Sequence, residues 1–416
     1  MPCFGSRLAF IKDFYSALQR AMLLGVDTSR RLLIAAQLLL AVAYALPVFS
    51  ADRLTYSDFF SFYTGWAIVR DGQGGRLYDL DLQSAYQAKA FGLESSQSHR
   101  GLLPFINPPH AALILTPFAY LTPKTAASLY LLFNCLIAIW VLYRLWQLAA
   151  DWSRDAQMLL LTTTLATEVF WYALGSGTMT MLIFLCLTEY YLAMRAGRDV
   201  RAAIWLIAAT IKPQLILLPA FIPLAQRRWR LVGMVATLGL LVGLSISLSF
   251  GFHIWEDYLR VLRQVGTHGE AYGASPMLMD NLRMILYWTA PPAAVVPLVY
   301  LALLAGVVGT CWLWRSARHF GLRFALTMLL GLILAPHLNY QDTVVAILPA
   351  AIGYDFARSQ RPELLPMFQV LVLAATFVPA ALIITRYVRP FGWVWPLPLI
   401  MILAAMCALA LRRRET

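Results

Sequence analysis

The sequence predicts an all-α polytopic membrane protein with about twelve transmembrane helices. Of its 416 residues, 60% are hydrophobic and only 13% are charged, and the mean hydropathy is +0.66. A soluble globular protein of this composition would have too little polar surface. Runs of about 17 to 25 mostly apolar residues, the length with which an α-helix crosses the hydrocarbon core, recur along nearly the whole chain. Helices satisfy their own backbone hydrogen bonds, so they are the expected spanning element.

Twelve spans result when the apolar runs are divided at charged residues and at Pro and Gly. The second, ninth and tenth are short, so any of them can be tilted, broken or re-entrant. No internal repeat is visible, which argues against a common transporter architecture. The predicted spans are 32–50, 107–122, 125–147, 156–174, 178–194, 202–225, 231–251, 292–314, 324–336, 343–357, 364–384 and 391–411.

The positions of the arginines predict the orientation of a single membrane domain over residues 1–416. Arginine clusters at 227–230 and 412–414 lie directly against span ends, so we expect both termini in the cytoplasm. The arginine-rich loop 195–201 falls on the outer side and disagrees with this orientation. Segment 1–31 is expected to include a cytoplasmic interfacial helix at about 5–24, because the apolar residues there have roughly helical spacing between basic ones.

Charge and cysteine content exclude several classes of function. The net charge is +12, but the arginines are spread over many short loops, which indicates topology and contact with anionic lipid and not a nucleic-acid partner. The five cysteines have neither metal-ligand nor disulfide spacing. We therefore expect no metal and no cofactor.

Two long loops remain outside the predicted spans, 51–106 and 252–291, and both fall on the extracytoplasmic side. A long loop in a compact protein is usually functional or disordered. The first loop is rich in Phe, Tyr and Trp, and a glycine-rich turn follows Asp71. It therefore predicts two amphipathic helices on the bilayer surface, at about 58–70 and 79–91.

Asp58 is the leading catalytic candidate. It precedes the aromatic run 59–63 at the membrane surface, where a carboxylate can deprotonate a hydroxyl beside a lipid-borne substrate. The alternative role for its side chain is to cap the following helix. Capping is the more common role for an acid in the position of Asp79, which comes just before the second predicted helix.

Lys212 is the leading cationic candidate, because a lysine in an apolar span is costly and is usually paired or functional. Counted from the outer ends of their spans at ~1.5 Å per residue, Lys212 and Glu168 lie at similar depths and could form an ion pair. Binding of a lipid phosphate is the other interpretation. Pro213 should break the helix beside Lys212. His337, in a polar hairpin, could contact phosphate or acceptor.

Six short motifs follow one another along the chain: Asp58 with its aromatics, Gly74-Gly75-Arg76-Leu77-Tyr78-Asp79, Phe105-Ile106-Asn107-Pro108-Pro109, Leu115-Thr116-Pro117-Phe118, Ile211-Lys212-Pro213-Gln214 and Arg227-Arg228-Trp229. In this order and spacing they resemble the landmarks of glycosyltransferase family 87, a family of integral membrane enzymes of the GT-C class. The resemblance runs from about residue 32 to 350. Where the family usually has Gly-Gln, this chain has Gly177-Thr178.

The resemblance implies a GT-C fold and an inverting transfer of a sugar, typically mannose, from a polyprenyl-phosphate carrier. The acceptor would be a hydroxyl of a glycolipid or glycan at the outer face of the cytoplasmic membrane. Asp58 matches the position of the family's general base. The donor is a phosphodiester whose leaving group, the polyprenyl phosphate, is already a weak base, so it needs positive charge and no acid catalyst. We assign substrate binding to Lys212, His337, Tyr63, Asp79 and Gln214.

Two other classes of function remain open at this point. A transporter or flippase of a lipid-linked substrate would need a polar path across the membrane, for which the chain offers only Glu168 and Lys212. A structural subunit of an envelope-assembly complex would leave Asp58 replaceable.

Overall fold

The protein is described by a computed structural model over residues 26–49, 58–91, 102–267, 275–315, 318–384 and 396–412. Within these ranges the chain forms helices joined by short turns. The α-helices of seven or more residues are α1 Val26–Val48, α2 Phe59–Arg70, α3 Leu80–Phe91, α4 Pro109–Leu115, α5 Pro123–Leu148, α6 Arg154–Ala166, α7 Glu168–Gly175, α8 Thr180–Arg195, α9 Asp199–Ala208, α10 Trp229–Phe250, α11 Ile254–Thr267, α12 Leu282–Thr289, α13 Pro292–Leu313, α14 Phe320–Leu334, α15 Ile347–Gln360, α16 Leu365–Ile384 and α17 Pro396–Arg412.

The described helices support a multi-pass membrane protein. Five of them are long and apolar enough to cross a bilayer, and a sixth crossing is possible if α6 and α7, which meet at a bend of 52°, form one span. The apolar helices α14 and α17 are shorter. Each of the twelve predicted spans overlaps a described helical segment, but the number of crossings is not confirmed, and contacts at the ends of two segments correct their predicted crossing.

The segment predicted as span 202–225 enters the helical bundle and returns. α9 ends at Ala208, and two 3-10 turns flank Lys212, as the Lys212-Pro213 pair predicts. Asp199, before the segment, forms an ion pair with Arg228, after it. The ends of a crossing helix would be about 30 Å apart. The segment is therefore a hairpin with Lys212 near its tip, and the loop 195–201 lies on the same side as the arginines at 227–230.

The segment predicted as span 107–122 also fails to cross. It consists of the short helix α4 and a 3-10 turn, and its far end stays beside α2. Tyr63 donates a hydrogen bond to the carbonyl of Leu121 at 2.8 Å, and Arg70 donates to that of Ala119 at 2.5 Å. If this segment turns back without crossing, Arg30 and Asp155 lie on the same side of the membrane. This explains their ion pair at 3.3 Å.

The two helices predicted in the first loop are confirmed as α2 and α3, but α2 is not a surface helix with one exposed face. Nine of its twelve residues are buried. Its aromatic residues are distributed around the helix circumference, so all faces need partners: Trp66 and Phe59 contact the ring of Tyr130 at centroid distances of 5.3 and 5.9 Å. The helix that begins at the candidate base is therefore fixed in the protein core.

The glycine pair Gly74-Gly75 lets the first loop approach the end of α10. A side chain at Gly74 would overlap the ring of Phe250, and a Cβ at Gly75 would lie 3.0 Å from the backbone oxygen of Phe250. His253 also hydrogen-bonds to the carbonyl of Gly75 at 3.0 Å. These contacts join the two long loops into one assembly around the site. The predicted interfacial helix at 5–24 lies outside the described residues.

Candidate functional site

A cavity of about 1450 Å³, including its open mouth, lies where the two long loops meet the hairpin of Lys212. Its wall is built from the start of α2, the segment before α4, the turn after Lys212, α11, α12, α13 and the loop after α14. Asp58, Lys212, Gln214, Arg283 and His337 line this cavity. A second, apolar cavity of about 1070 Å³ has no acidic or basic side chain among its described lining residues, so it offers no acid–base chemistry.

Asp58 occupies the capping position of α2 but its carboxylate caps none of the described backbone amides. Instead, Gln341 Nε2 donates a hydrogen bond to Asp58 Oδ2 at 3.0 Å. The following aromatics are packed into the core, so the backbone at Asp58 is held while its side chain faces the cavity. The capping alternative for Asp58 is thus not supported.

Burial raises the pKa of Asp58 to about 6, with the negative charge of Asp342 acting in the same direction. The charge of Lys212 and the hydrogen bond from Gln341 oppose this increase. A carboxyl group with a pKa near 6 is mostly ionised at neutral pH and remains a stronger base than an ordinary aspartate. This is the balance that a general base requires.

Lys212 forms a buried ion pair with Asp342, to whose Oδ1 its ammonium group donates. Thr180, at the start of α8, donates to the same carboxylate oxygen at 2.6 Å and accepts from Lys212 at 3.0 Å. Asp342 Oδ2 accepts from the backbone N–H of Asn339 at 3.3 Å. The pair therefore fixes the turn 339–342, which presents Gln341 to Asp58.

Of the two interpretations of Lys212, the ion pair with Glu168 is wrong. Glu168 accepts a hydrogen bond from the hydroxyl of Tyr340 at 3.0 Å, while Lys212 is paired with Asp342. The depth argument assumed that 202–225 crosses the membrane as one helix. Because the segment is a hairpin, the number of residues between Lys212 and the predicted end of its span does not measure its depth in the membrane. Lys212 and Glu168 therefore need not lie close together.

The segment 279–283 supports the loop that carries His337. Asp280 N–H donates to the carbonyl of Leu338 at 3.1 Å, and Asn281 Nδ2 donates to that of Ala335 at 2.8 Å. Burial lowers the pKa of His337 to about 4, so its imidazole is neutral at neutral pH. A neutral ring has one N–H to donate and one nitrogen to accept.

Arg283 is a second cation at the cavity. Its Nη1 donates to the carbonyl of Pro336 at 3.2 Å and its Nη2 to that of Gly266 at 2.9 Å. Its Nε is buried and has no hydrogen-bond partner within the described part of the chain. Burial lowers the pKa of Arg283.

Two of the predicted substrate-binding residues lie away from the cavity. Tyr63 packs in the core and bonds to Leu121, as described above. Asp79 accepts from the N–H groups of Asp81 and Leu82, both at 3.1 Å, and pairs with Arg76 at 2.6 Å, which confirms the capping interpretation. The structure brings together Asp58, Lys212, Gln214 and His337, but not Tyr63 or Asp79.

Sequence analysis missed three contributors to the site: Thr180, Gln341 and Arg283. Gln341 lies in the polar segment singled out around His337, so its neighbourhood was visible but its contact with Asp58 was not. Thr180 follows the Gly177-Thr178 pair, and Thr178 Oγ1 donates to it at 3.1 Å. Arg283 had no local signal that separated it from other loop arginines.

Metal binding has no candidate site in the described ranges, because they contain no group of three His, Cys, Asp or Glu side chains close enough to share an ion.

The comparison with family models assigns the chain. The model of glycosyltransferase family 87 matches residues 105–336, more than half of the 416-residue sequence. Comparisons with curated proteins and with solved structures give no match. The matched range includes Lys212, Gln214 and Arg283, whereas Asp58 precedes it and His337 follows it directly, so the case for these two rests on the geometry of the cavity. With its landmarks from Phe105 onward inside the matched range, the chain belongs to glycosyltransferase family 87.

Proposed function

We propose that this glycosyltransferase moves a hexose, in the first instance mannose, from a polyprenyl phosphate to a hydroxyl of a glycolipid or glycan acceptor. Transfer inverts the anomeric centre, and Asp58 is the general base. The observation that carries the proposal is the position of Asp58, held at the cavity by Gln341 with a pKa raised to about 6 by burial.

A single displacement fits the distribution of carboxylates. Asp58 is the one carboxylate among the described residues that line the cavity. Asp342 lies behind it, fully buried and neutralised by Lys212. In an inverting reaction one carboxylate removes the proton from the acceptor hydroxyl while this hydroxyl attacks the anomeric carbon on the face opposite the leaving group. A polyprenyl phosphate leaves as a weak base, so cations and hydrogen-bond donors at its phosphate suffice.

A lipid-borne donor fits the surroundings of the cavity. Tyr300, which lines it, belongs to α13, one of the helices long and apolar enough to span a bilayer. A lipid could therefore approach from the membrane while its headgroup enters the polar cavity. An ammonium group has three hydrogens to donate. Lys212 uses two of them on Asp342 and Thr180, so one remains for a substrate, and Gln214 and His337 offer further donors.

We also propose that the termini are cytoplasmic and that the cavity is extracytoplasmic. The ion pair between Asp199 and Arg228 supports this orientation. Because this pair joins the two ends of the hairpin, the arginines of the loop 195–201 lie on the same side of the membrane as those of 227–230. The loop that disagreed with the positive-inside rule therefore agrees with it. Transport of a lipid-linked substrate is less well supported, because Glu168 and Lys212 do not form a shared polar path and the family is one of glycosyltransferases.

The direct test is Asp58→Asn in purified enzyme supplied with polyprenyl-phosphate mannose. Asn keeps the shape of the side chain but cannot accept the proton, so we expect transfer to fall by about 10²- to 10⁴-fold while donor binding persists. Asp81→Asn, the same change at an exposed position of the same loop, should leave transfer unchanged. Retention of more than about 5% activity by Asp58→Asn would exclude it as the base. Use of a nucleotide-activated sugar alone would contradict the lipid donor.

A further inference from the structure

We propose that Arg283 binds the phosphate of the lipid-linked donor, and that its guanidinium group supplies the positive charge that stabilises the leaving phosphate. This inference rests on the proposed function. The sequence favoured Lys212 for this role, but the contacts of the two cations differ.

Among the described residues that line the cavity, Arg283 is the cation without an acidic partner. Lys212 is neutralised by Asp342 in the buried ion pair. His337 is neutral, as described above. Asp280, three residues before Arg283, is held protonated at neutral pH because burial, followed by the charge of Asp342, raises its pKa to about 8. Within the described ranges, Arg283 donates hydrogen bonds to two backbone carbonyls, which orient the guanidinium group without cancelling its charge.

The geometry of these contacts leaves donors for a ligand. A guanidinium group has five N–H donors in a fixed planar arrangement. Pro336 and Gly266 each take one, and Nε is unpaired, so three remain. A cation that is partly buried without an anion is unfavourable. A phosphate in the cavity would supply the missing anion and accept two parallel hydrogen bonds, the arrangement in which arginine binds phosphate most strongly.

A purely structural alternative exists, because Arg283 could serve only to hold the loop at Pro336. The two roles differ in how they depend on the ligand. Loss of a loop clamp weakens binding of every ligand in the cavity. Loss of a side chain that binds the phosphate weakens binding of a prenyl phosphate and leaves binding of the uncharged prenol unchanged.

The test therefore compares binding of farnesyl phosphate and farnesol to the purified full-length enzyme. In Arg283→Gln and in Arg283→Met, which retains the length of the aliphatic chain, we expect the affinity for farnesyl phosphate to fall by about 10- to 100-fold and that for farnesol to change by less than about twofold. Arg260→Gln, in an exposed ion pair with Glu256 and Asp257, should bind both lipids like the wild type. Equal losses for both lipids, or no loss for either, would overturn the inference.

A measurement on the unmodified enzyme covers the case in which neither variant folds. Phenylglyoxal, which modifies arginine, should react more slowly with Arg283 in the presence of farnesyl phosphate, and farnesol should not protect it, as read by mass spectrometry of the peptide containing Arg283. Equal protection by both lipids, or by inorganic phosphate at the same concentration, would contradict a prenyl-phosphate site. If the wild type does not use a prenyl-phosphate sugar at all, the proposed function fails. If it does and Arg283 is not protected, only this inference fails.

Discussion

Replacement of Gln341 by Leu should raise the pH at which the enzyme loses activity. The amide of Gln341 donates to the carboxylate of Asp58 at 3.0 Å, and a donor to the ionised form lowers the pKa of an acid. A hydrogen bond to a charged group contributes about 1.5–3 kcal/mol, and 1.36 kcal/mol corresponds to about one pKa unit. Because Asp58 faces a cavity that water can enter, we expect an increase at the lower end, about 1 unit.

The base acts when deprotonated, so activity is lost as pH falls through its pKa. In the wild type the half-maximum of kcat/KM on the acid side should lie near pH 6, the pKa of Asp58. In Gln341→Leu it should lie near pH 7, so that activity falls about fivefold at pH 6 and by only about a tenth at pH 8. The assay is kcat/KM for the donor between about pH 5 and 9, with Gln360→Leu, an exposed position, as the control. An acid limb that stays in place while the plateau falls would refute the reasoning.

Two further predictions concern the ion pair and the topology. Lys212→Met and Asp342→Asn should each reduce the free energy of unfolding by about 3–5 kcal/mol, because each leaves a buried charge without its partner. The double variant should recover most of this loss. Unfolding in detergent measures the three variants, and additive losses in the double variant would contradict the pairing. In a background without native cysteines, Ala85→Cys should react with an impermeant thiol reagent in intact cells and Val200→Cys should not. Reaction at Val200 alone would invert the proposed orientation.

The sequence predicted the chemistry of the site better than its assembly. Asp58 and Lys212 stood out because a charge in an apolar chain is costly and needs a reason. Pro213 predicted the break beside Lys212, since proline removes a backbone donor and disturbs a helix. These are local effects, which depend on a residue and its immediate neighbours in the chain.

The two re-entrant segments could not be recognised from hydropathy. An apolar run of about 20 residues has the same composition whether it crosses the bilayer or turns back, and only contacts between its ends decide. For 202–225 that contact is Asp199 with Arg228, two residues that the predicted topology placed on opposite sides. The wrong partner for Lys212 followed from the same cause.

Arg283 and Gln341 were not identified because their importance arises from long-range contacts. Arg283 has no unusual neighbours in the sequence, and the polar hairpin that contains Gln341 does not reveal which residue its amide contacts. Gln341 matters through Asp58, and Arg283 through the cavity that residues from both long loops enclose. By contrast, the capping role of Asp79 was predicted correctly, because a cap involves only the next three residues.

The hydrogen bond between Gln341 and Asp58 joins residues 283 positions apart, and this separation has a consequence for biosynthesis. Asp58 and α2 leave the ribosome early, before most of the residues that pack around them. Asp342 and Gln341, which adjust the pKa that burial gives Asp58, arrive only after most of the chain has been synthesised and inserted. A nascent chain that stops before residue 341 would therefore lack the amide that holds the carboxylate of Asp58, and catalytic competence would begin only when the last fifth of the protein enters the membrane.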